Sequence, residues 1–207
     1  MNKFLYIVSF TFISLASCIS IDASQMIVMR HGQGTHNVAR IYSSNPYHPN
    51  YMRSDLTPTG KEQVIETAHN LLKQGFNKDT IDLVVVSPLP RTMQTANILL
   101  EHGVFTIDKM VIDSRLQEPH MGDLEGNVGL QMSWMQMDHK SFGGETIEQM
   151  QARIADVYRS ILAKGIKGNI LVITHSVPGH FLIYHITGER CKLMTAEAKV
   201  ISLYHKK

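Results

Sequence analysis

An α/β fold with a mostly parallel central sheet is predicted by three observations. Continuous aliphatic and β-branched runs recur at residues 26–29, 81–86 and 170–173, the pattern of strands buried on both faces of a sheet. Each run leads through turn residues into helical spacing, so the strands are joined by the helical crossovers that parallel pairing requires. Each also ends on residues that carry chemistry: Arg30-His31, Ser87 with Arg91 just beyond, and Thr174-His175. Parallel strands bring such ends to one sheet edge, where open α/β sheets bind ligands.

Taken in order, the strand at 26–29 runs into Arg30-His31-Gly32-Gln33-Gly34-Thr35-His36-Asn37. Residues 38–56, rich in Tyr, Asn, Pro and Ser, read as a loop on turn chemistry. A loop of that length inside a compact domain is usually functional or mobile, which makes it a candidate wall for a substrate pocket. Pro58 suits a first helical turn and Thr59 with Glu62 has capping-box spacing. Val64, Ala68, Leu71 and Leu72 continue at helical intervals until Gly75 and Asn77. The strand at 81–86 passes through Ser87-Pro88 into a helix expected over 92–100, and Val111-Ile112 suggest a short third strand.

From 121 to 144 no period emerges. This Gly- and Met-rich stretch, which holds the single tryptophan Trp134, reads as an insertion over the sheet end. Its methionines at 121, 132, 135 and 137 suit either an adaptable apolar lid or ordinary loop packing. Thr146 and Gln149 make another capping box, and Ile147, Met150, Ile154, Val157 and Ile161 fall three and four apart on one helical face. After the strand at 170–173, Pro178 is expected to open a helix that Gly188 closes, and 200–204 is expected as a last strand.

The 207 residues suffice for one well-buried domain. With 43% apolar and 18% charged residues and a formal charge of +2, the composition is that of an ordinary globular protein. It gives no argument for nucleic acid as a partner. Lys3 precedes an apolar, aromatic run free of charge until Asp22, shorter than the about 20 residues of a spanning helix, and this reads as a secretory signal. Leu15-Ala16-Ser17-Cys18 resembles the bacterial lipoprotein signal, with residues 1–17 removed and Cys18 lipidated. Cleavage nearby, as after Ala23, and an uncleaved anchor are the alternatives. The expectation is an exported protein, periplasmic or lipid-anchored to a bacterial membrane, with 18–25 as a short linker and 26–207 as the domain. Cys191 is then alone in the domain, so stability rests on packing without an internal disulfide.

Two arginines and two histidines at one sheet edge suit a tetrahedral oxyanion, above all a phosphoryl group, because guanidinium presents a planar fork of donors. Helix N-termini after Arg91 and His175 would add free backbone donors. Arg30-His31-Gly32, Ser87-Pro88 with Arg91 and Thr95-Ala96, Glu118 before Gly122 and Gly126, Gly144-Glu145-Thr146, and Thr174-His175 stand in the order found in the histidine phosphatase superfamily. The chain resembles its phosphoglycerate-mutase-like members from about Met26 to the C-terminus.

That resemblance implies a three-layer α/β/α sandwich and a covalent phosphohistidine formed without metal or cofactor. It makes His31 the nucleophile, Arg30, Arg91 and His175 the ligands of the phosphoryl oxygens, and Glu118 the general acid and base, with His120 and Glu125 as fallback acids. Asn37 matches a position that touches substrate. Gln33, Gly34 and Ser176 depart from the Glu-Ser and Gly common at those places in the mutases; Gln33 and Ser176 are carried as candidate substrate contacts.

Between Glu118 and Glu145, histidine apart, the only basic residue is Lys140, whereas the mutases hold a basic cluster there. Hydrolysis of a small phosphorylated substrate is therefore expected ahead of phosphoryl transfer. A mutase and a non-catalytic phosphoryl-binding lipoprotein on the same fold are the alternatives. A dinucleotide site at Gly32-Gln33-Gly34 lacks its third glycine and a ribose acid about 20 residues on. The eleven histidines show no metal-ligand spacing.

Overall fold

The computed structural model describes residues 24–129 and 134–203. The leader with Cys18, Met132 and Tyr204, for which the sequence suggests a signal, a lid and a strand end, lie outside them. Five strands form one sheet: β1 (Gln25–Arg30), β2 (Ile81–Val86), β3 (Met110–Ile112), β4 (Asn169–Thr174) and β5 (Ala198–Ser202), in the order β3-β2-β4-β1-β5. All neighbours are parallel except β5, which runs antiparallel to β1.

The buried runs alternate between two cores, as a pleated strand requires. Met26, Val28, Val85, Ile170 and Val172 face helices α4 (Ile147–Leu162) and α5 (Ser176–Thr187). Ile27, Met29, Val84, Val86, Leu171 and Ile173 face α2 (Pro58–Lys73) and α3 (Pro90–Glu101). Helices on both faces of the sheet make the three-layer α/β/α arrangement. Because β4 is inserted between β2 and β1, the winding reverses there, and the ends of these three strands border the crevice that such a reversal leaves.

The expected α4 is present with its capping box: Thr146 accepts from Gln149 N–H and the Gln149 side chain accepts from Thr146 N–H. Gly188 closes α5 in the left-handed region. Other boundaries shift for local reasons. The cap of α2 is Thr57, whose Oγ accepts from Gly60 N–H at 3.0 Å, and not Thr59, since Pro58 fits the first position after it. The next helix starts at Pro90 by the same logic. The last begins at Ser176, two residues before Pro178, because first-turn N–H groups have no intrahelical partner and proline loses nothing there. A short helix α1 (Thr35–Ala39), unforeseen in the sequence, follows the loop that begins at His31. Among the described residues of 121–144, where no period was found, are three 3₁₀ turns, Gly122–Leu124, Trp134–Gln136 and His139–Phe142, and a further one, Ser114–Leu116, precedes them.

Candidate active site

The ends of β1, β2 and β4 are locked together by backbone. His31 N–H donates to Thr174 C=O at 3.0 Å, Ser87 N–H to Ile173 C=O at 3.1 Å, and Ala196 N–H to His31 C=O at 2.9 Å. Beyond His31 the chain presses against the start of α2. A Cβ on Gly32 would collide with Gly60 backbone, and one on Gly60 with Gln33 backbone, so both positions require glycine for close approach.

His31 is fully buried. Its Nδ1 lies 2.6 Å from Gly32 C=O, and its Nε2 accepts from Arg91 Nε at 3.1 Å. Those partners assign the tautomer: the proton is on Nδ1 and the lone pair on Nε2. Burial, then the charges of Arg91 and Arg30, hold its pKa well below the usual histidine range, against a smaller opposing effect of the Gly32 bond. The ring is neutral, as a nitrogen nucleophile must be.

Arg91, in the first turn of α3, is also fully buried, and its Nη1 and Nη2 have no partner. Burial lowers its pKa to about 10 while Glu118 and Tyr51 oppose the shift, so it stays charged at neutral pH. Arg30 donates through Nη1 to Leu193 C=O and leaves Nε without an acceptor. His175 packs edge-on to His31 with ring centroids 5.0 Å apart; its Nε2 lies 2.8 Å from Ser87 Oγ and its Nδ1 has no hydrogen-bond partner. Unpaired buried donors at a cationic spot are costly unless an anion completes them. Arg30 and Arg91 line one cavity, and His31 and His175 lie against each other behind them.

Glu118 accepts from Val177 N–H at the start of α5 at 3.1 Å, and its other oxygen is 4.0 Å from His175 Nδ1. The structure thus brings His31, Arg30, Arg91, His175 and Glu118 together. Burial, then Arg91 and His31, hold the His175 pKa well below the usual histidine range, so the ring is neutral. A cavity of about 200 Å³ meets Arg30, Arg91, Glu118, Asn37 and Ser176. Gln33 is not in that lining; its amide oxygen accepts from Thr57 Oγ at 2.8 Å, turned toward α2. Larger depressions lie away from this chemistry, and the one beside Arg115 and Arg153 has both arginines already paired, with Asp113 and Glu145.

Some members of the site are not apparent in sequence. His36 lies 5.5 Å from His31, ring to ring, with Nδ1 2.6 Å from Ser54 Oγ and Nε2 accepting from the Asn37 amide at 2.9 Å. Burial and the two arginines lower its pKa to about 2. Glu125, considered as a fallback acid, is fully buried and braces the 38–56 loop. Its carboxylate accepts from Ser44 N–H at 2.6 Å, Ser44 Oγ–H at 2.5 Å and Asn45 N–H at 3.3 Å. His120 is exposed, with its N–H toward Glu145. Among the described residues no group of three His, Cys, Asp or Glu is placed to hold a metal ion.

The sequence model of the histidine phosphatase superfamily (branch 1) matches residues 26–201. The chain belongs to this superfamily. A broad-specificity phosphatase of Saccharomyces cerevisiae is 32% identical over 102 residues, 49% of this chain and 40% of that protein. A 2,3-bisphosphoglycerate-dependent phosphoglycerate mutase of Bartonella bacilliformis is 29% identical over 101 residues, 49% of this chain and 45% of that one. The chain thus spans less than half the length of these two relatives. Among solved structures, a mycobacterial glucosyl-3-phosphoglycerate phosphatase in complex with VO3 superposes with a TM-score of 0.67 at 20% identity, over 87% of this chain and 93% of that one. A phosphoglycerate mutase from Bacillus anthracis gives 0.68 at 21% identity, over 87% and 90%. Members of this histidine phosphatase superfamily act on small phosphorylated substrates.

Proposed function

We propose that the chain is a metal-independent phosphomonoester hydrolase that works through a covalent phosphohistidine on His31. The observation that carries this reading is the neutral His31 with its Nε2 lone pair beside the unpaired Nη donors of Arg91.

As a phosphoryl group enters, its oxygens take the free donors of Arg91, Arg30 Nε and His175 Nδ1–H, and Arg91 Nε releases His31. Nε2 then attacks phosphorus in line, the ester P–O bond breaks, and the alcohol leaves with a proton from Glu118. Glu118, now a carboxylate, takes a proton from water. The water oxygen attacks phosphorus and the P–N bond breaks, releasing phosphate and restoring neutral His31. Fixed cationic donors stabilise the equatorial oxygens without reorganisation.

Export and a lipid on Cys18 remain part of the proposal, since residues 15–18 fit a lipoprotein signal. Mutase activity is the lesser reading, because among the described residues lining the cavity the cations are only Arg30 and Arg91, leaving none for a second anionic end.

The test is p-nitrophenyl phosphate turnover with an alkaline denaturing quench. The expected result is phosphate release with an acid-labile, base-stable phosphoenzyme, both lost in His31→Ala. Glu118→Gln should slow alkyl phosphates by roughly 10²- to 10⁴-fold and aryl phosphates less, since a phenolate leaves with little help. Phosphoryl exchange without net phosphate release would overturn hydrolysis; equal losses on both substrate types would remove Glu118 as the acid.

A further inference from the structure

The lining of the cavity divides by chemistry. Arg30 and Arg91 bring uncommitted donors, Glu118, Asn37 and Ser176 bring neutral or acidic polar groups, and Ile41, Tyr42, Met121, Trp134 and Val177 bring apolar surface. With both arginines on the phosphoryl group and His36 held neutral, no cation among the described lining residues is left to pair a second anion. Such a group would be desolvated without a counter-charge.

The apolar surface also continues outward. Residues 40–42 and 126–129 form a short antiparallel ribbon: Tyr42 N–H donates to Asn127 C=O at 3.0 Å, Gly126 N–H to Tyr42 C=O at 3.0 Å, and Gly129 N–H to Arg40 C=O at 2.6 Å. Arg40, in the left-handed region at φ 55°, ends α1 and turns the chain into this ribbon. Ile41 stands directly opposite Val128, and opposed residues of an antiparallel pair put their side chains on the same face. Val128 therefore extends the surface that Ile41 gives the cavity, and it is 70% exposed. The cavity, at about 200 Å³, is smaller than the ~300–1,000 Å³ of common ligand pockets. It encloses the phosphoryl group and the first carbons of a substrate, and a longer substrate must leave across this ledge.

We infer that Ile41 and Val128 form a leaving-group subsite for the monophosphate of an uncharged, chain-like apolar alcohol. The phosphoryl group sits on Arg30 and Arg91, and the hydrocarbon runs past Ile41 onto Val128. This inference rests on the hydrolase reading above and adds the class of substrate.

The experiment measures kcat/KM for ethyl, butyl and hexyl phosphate and for 3-phosphoglycerate, with p-nitrophenyl phosphate reporting the phosphoryl chemistry alone. The expected result is a rise with chain length of up to about fourfold per methylene, carried by KM, with hexyl phosphate favoured over 3-phosphoglycerate by about 100-fold or more. Val128→Lys, a change at an exposed position, should lower that preference at least about tenfold by placing a cation on the ledge. No dependence on chain length, an equal or better rate with 3-phosphoglycerate, or an unchanged preference in Val128→Lys would overturn the subsite while leaving hydrolysis standing. Inactivity on every compound, p-nitrophenyl phosphate included, would instead overturn the hydrolase reading and this inference with it.

Discussion

The sheet edge and the wall that overhangs it are held by different forces. At the edge, His31 and His175 continue buried strands, and their backbones are fixed by the parallel β1–β4 ladder and by bonds to Thr174, Ile173 and Ala196. In the wall, Ile41 to Ser44 rest on a three-residue ribbon and on the carboxylate of Glu125. Moving a strand end means breaking the core, whereas moving the wall means breaking a handful of polar contacts. The two histidines are thus anchored where the fold is stiffest, and on the reading proposed above the leaving group meets the more loosely held wall.

The largest expected effect sharpens the rigid half of this contrast. Arg91→Ala removes three donors facing His31 and the phosphoryl position. It should lower kcat on p-nitrophenyl phosphate by about 10²- to 10³-fold, measured by steady-state kinetics, with little of the loss restored by Arg91→Lys, which lacks the planar fork. Full restoration by lysine would show that charge alone matters there.

A smaller effect tests the wall. Glu125→Ala leaves buried Ser44 and Asn45 donors unpaired and should cost about 2–3 kcal/mol in urea unfolding. Because the loop it braces lines the cavity, KM for alkyl phosphates should rise more than kcat falls. A fall in kcat equal to that of Arg91→Ala would erase the distinction between the two regions.

The smallest is a pH effect. Burial and then Arg91 hold both His31 and His175 well below the ordinary histidine range, so they are neutral when folded and gain protons on unfolding. Below about pH 6.5 the unfolded chain binds more protons, and stability falls as pH falls. The slope approaches about 1.4 kcal/mol per pH unit for each histidine. Above pH 7 they add no slope. Urea unfolding between pH 5 and 7.5 measures this, and His31→Gln should reduce the slope by one histidine's share.

Much of this was legible from residue types. The buried runs at 81–86 and 170–173 needed no context, because a strand covered on both faces is apolar along nearly its whole length, here with Asp82 alone exposed. Helix α4 announced itself through its stripe and Thr146 cap. Regular spacing failed where contacts run between distant segments. The 3₁₀ turns of 113–146, the Ile41–Val128 pairing and the brace from Glu125 to Ser44, 81 positions away, carry no local period.

By itself, then, the sequence determined the order of strands and helices and the polar groups at their ends, since hydrophobic periodicity and capping act within a few residues of the chain. Only the tertiary structure decided that Gln33 turns to Thr57, that His36 enters beside His31, which nitrogen of His31 carries the lone pair, and that His175 is held neutral. Those outcomes depend on burial and on charges brought close by the fold, and both are properties of the packed site that no short stretch of chain contains.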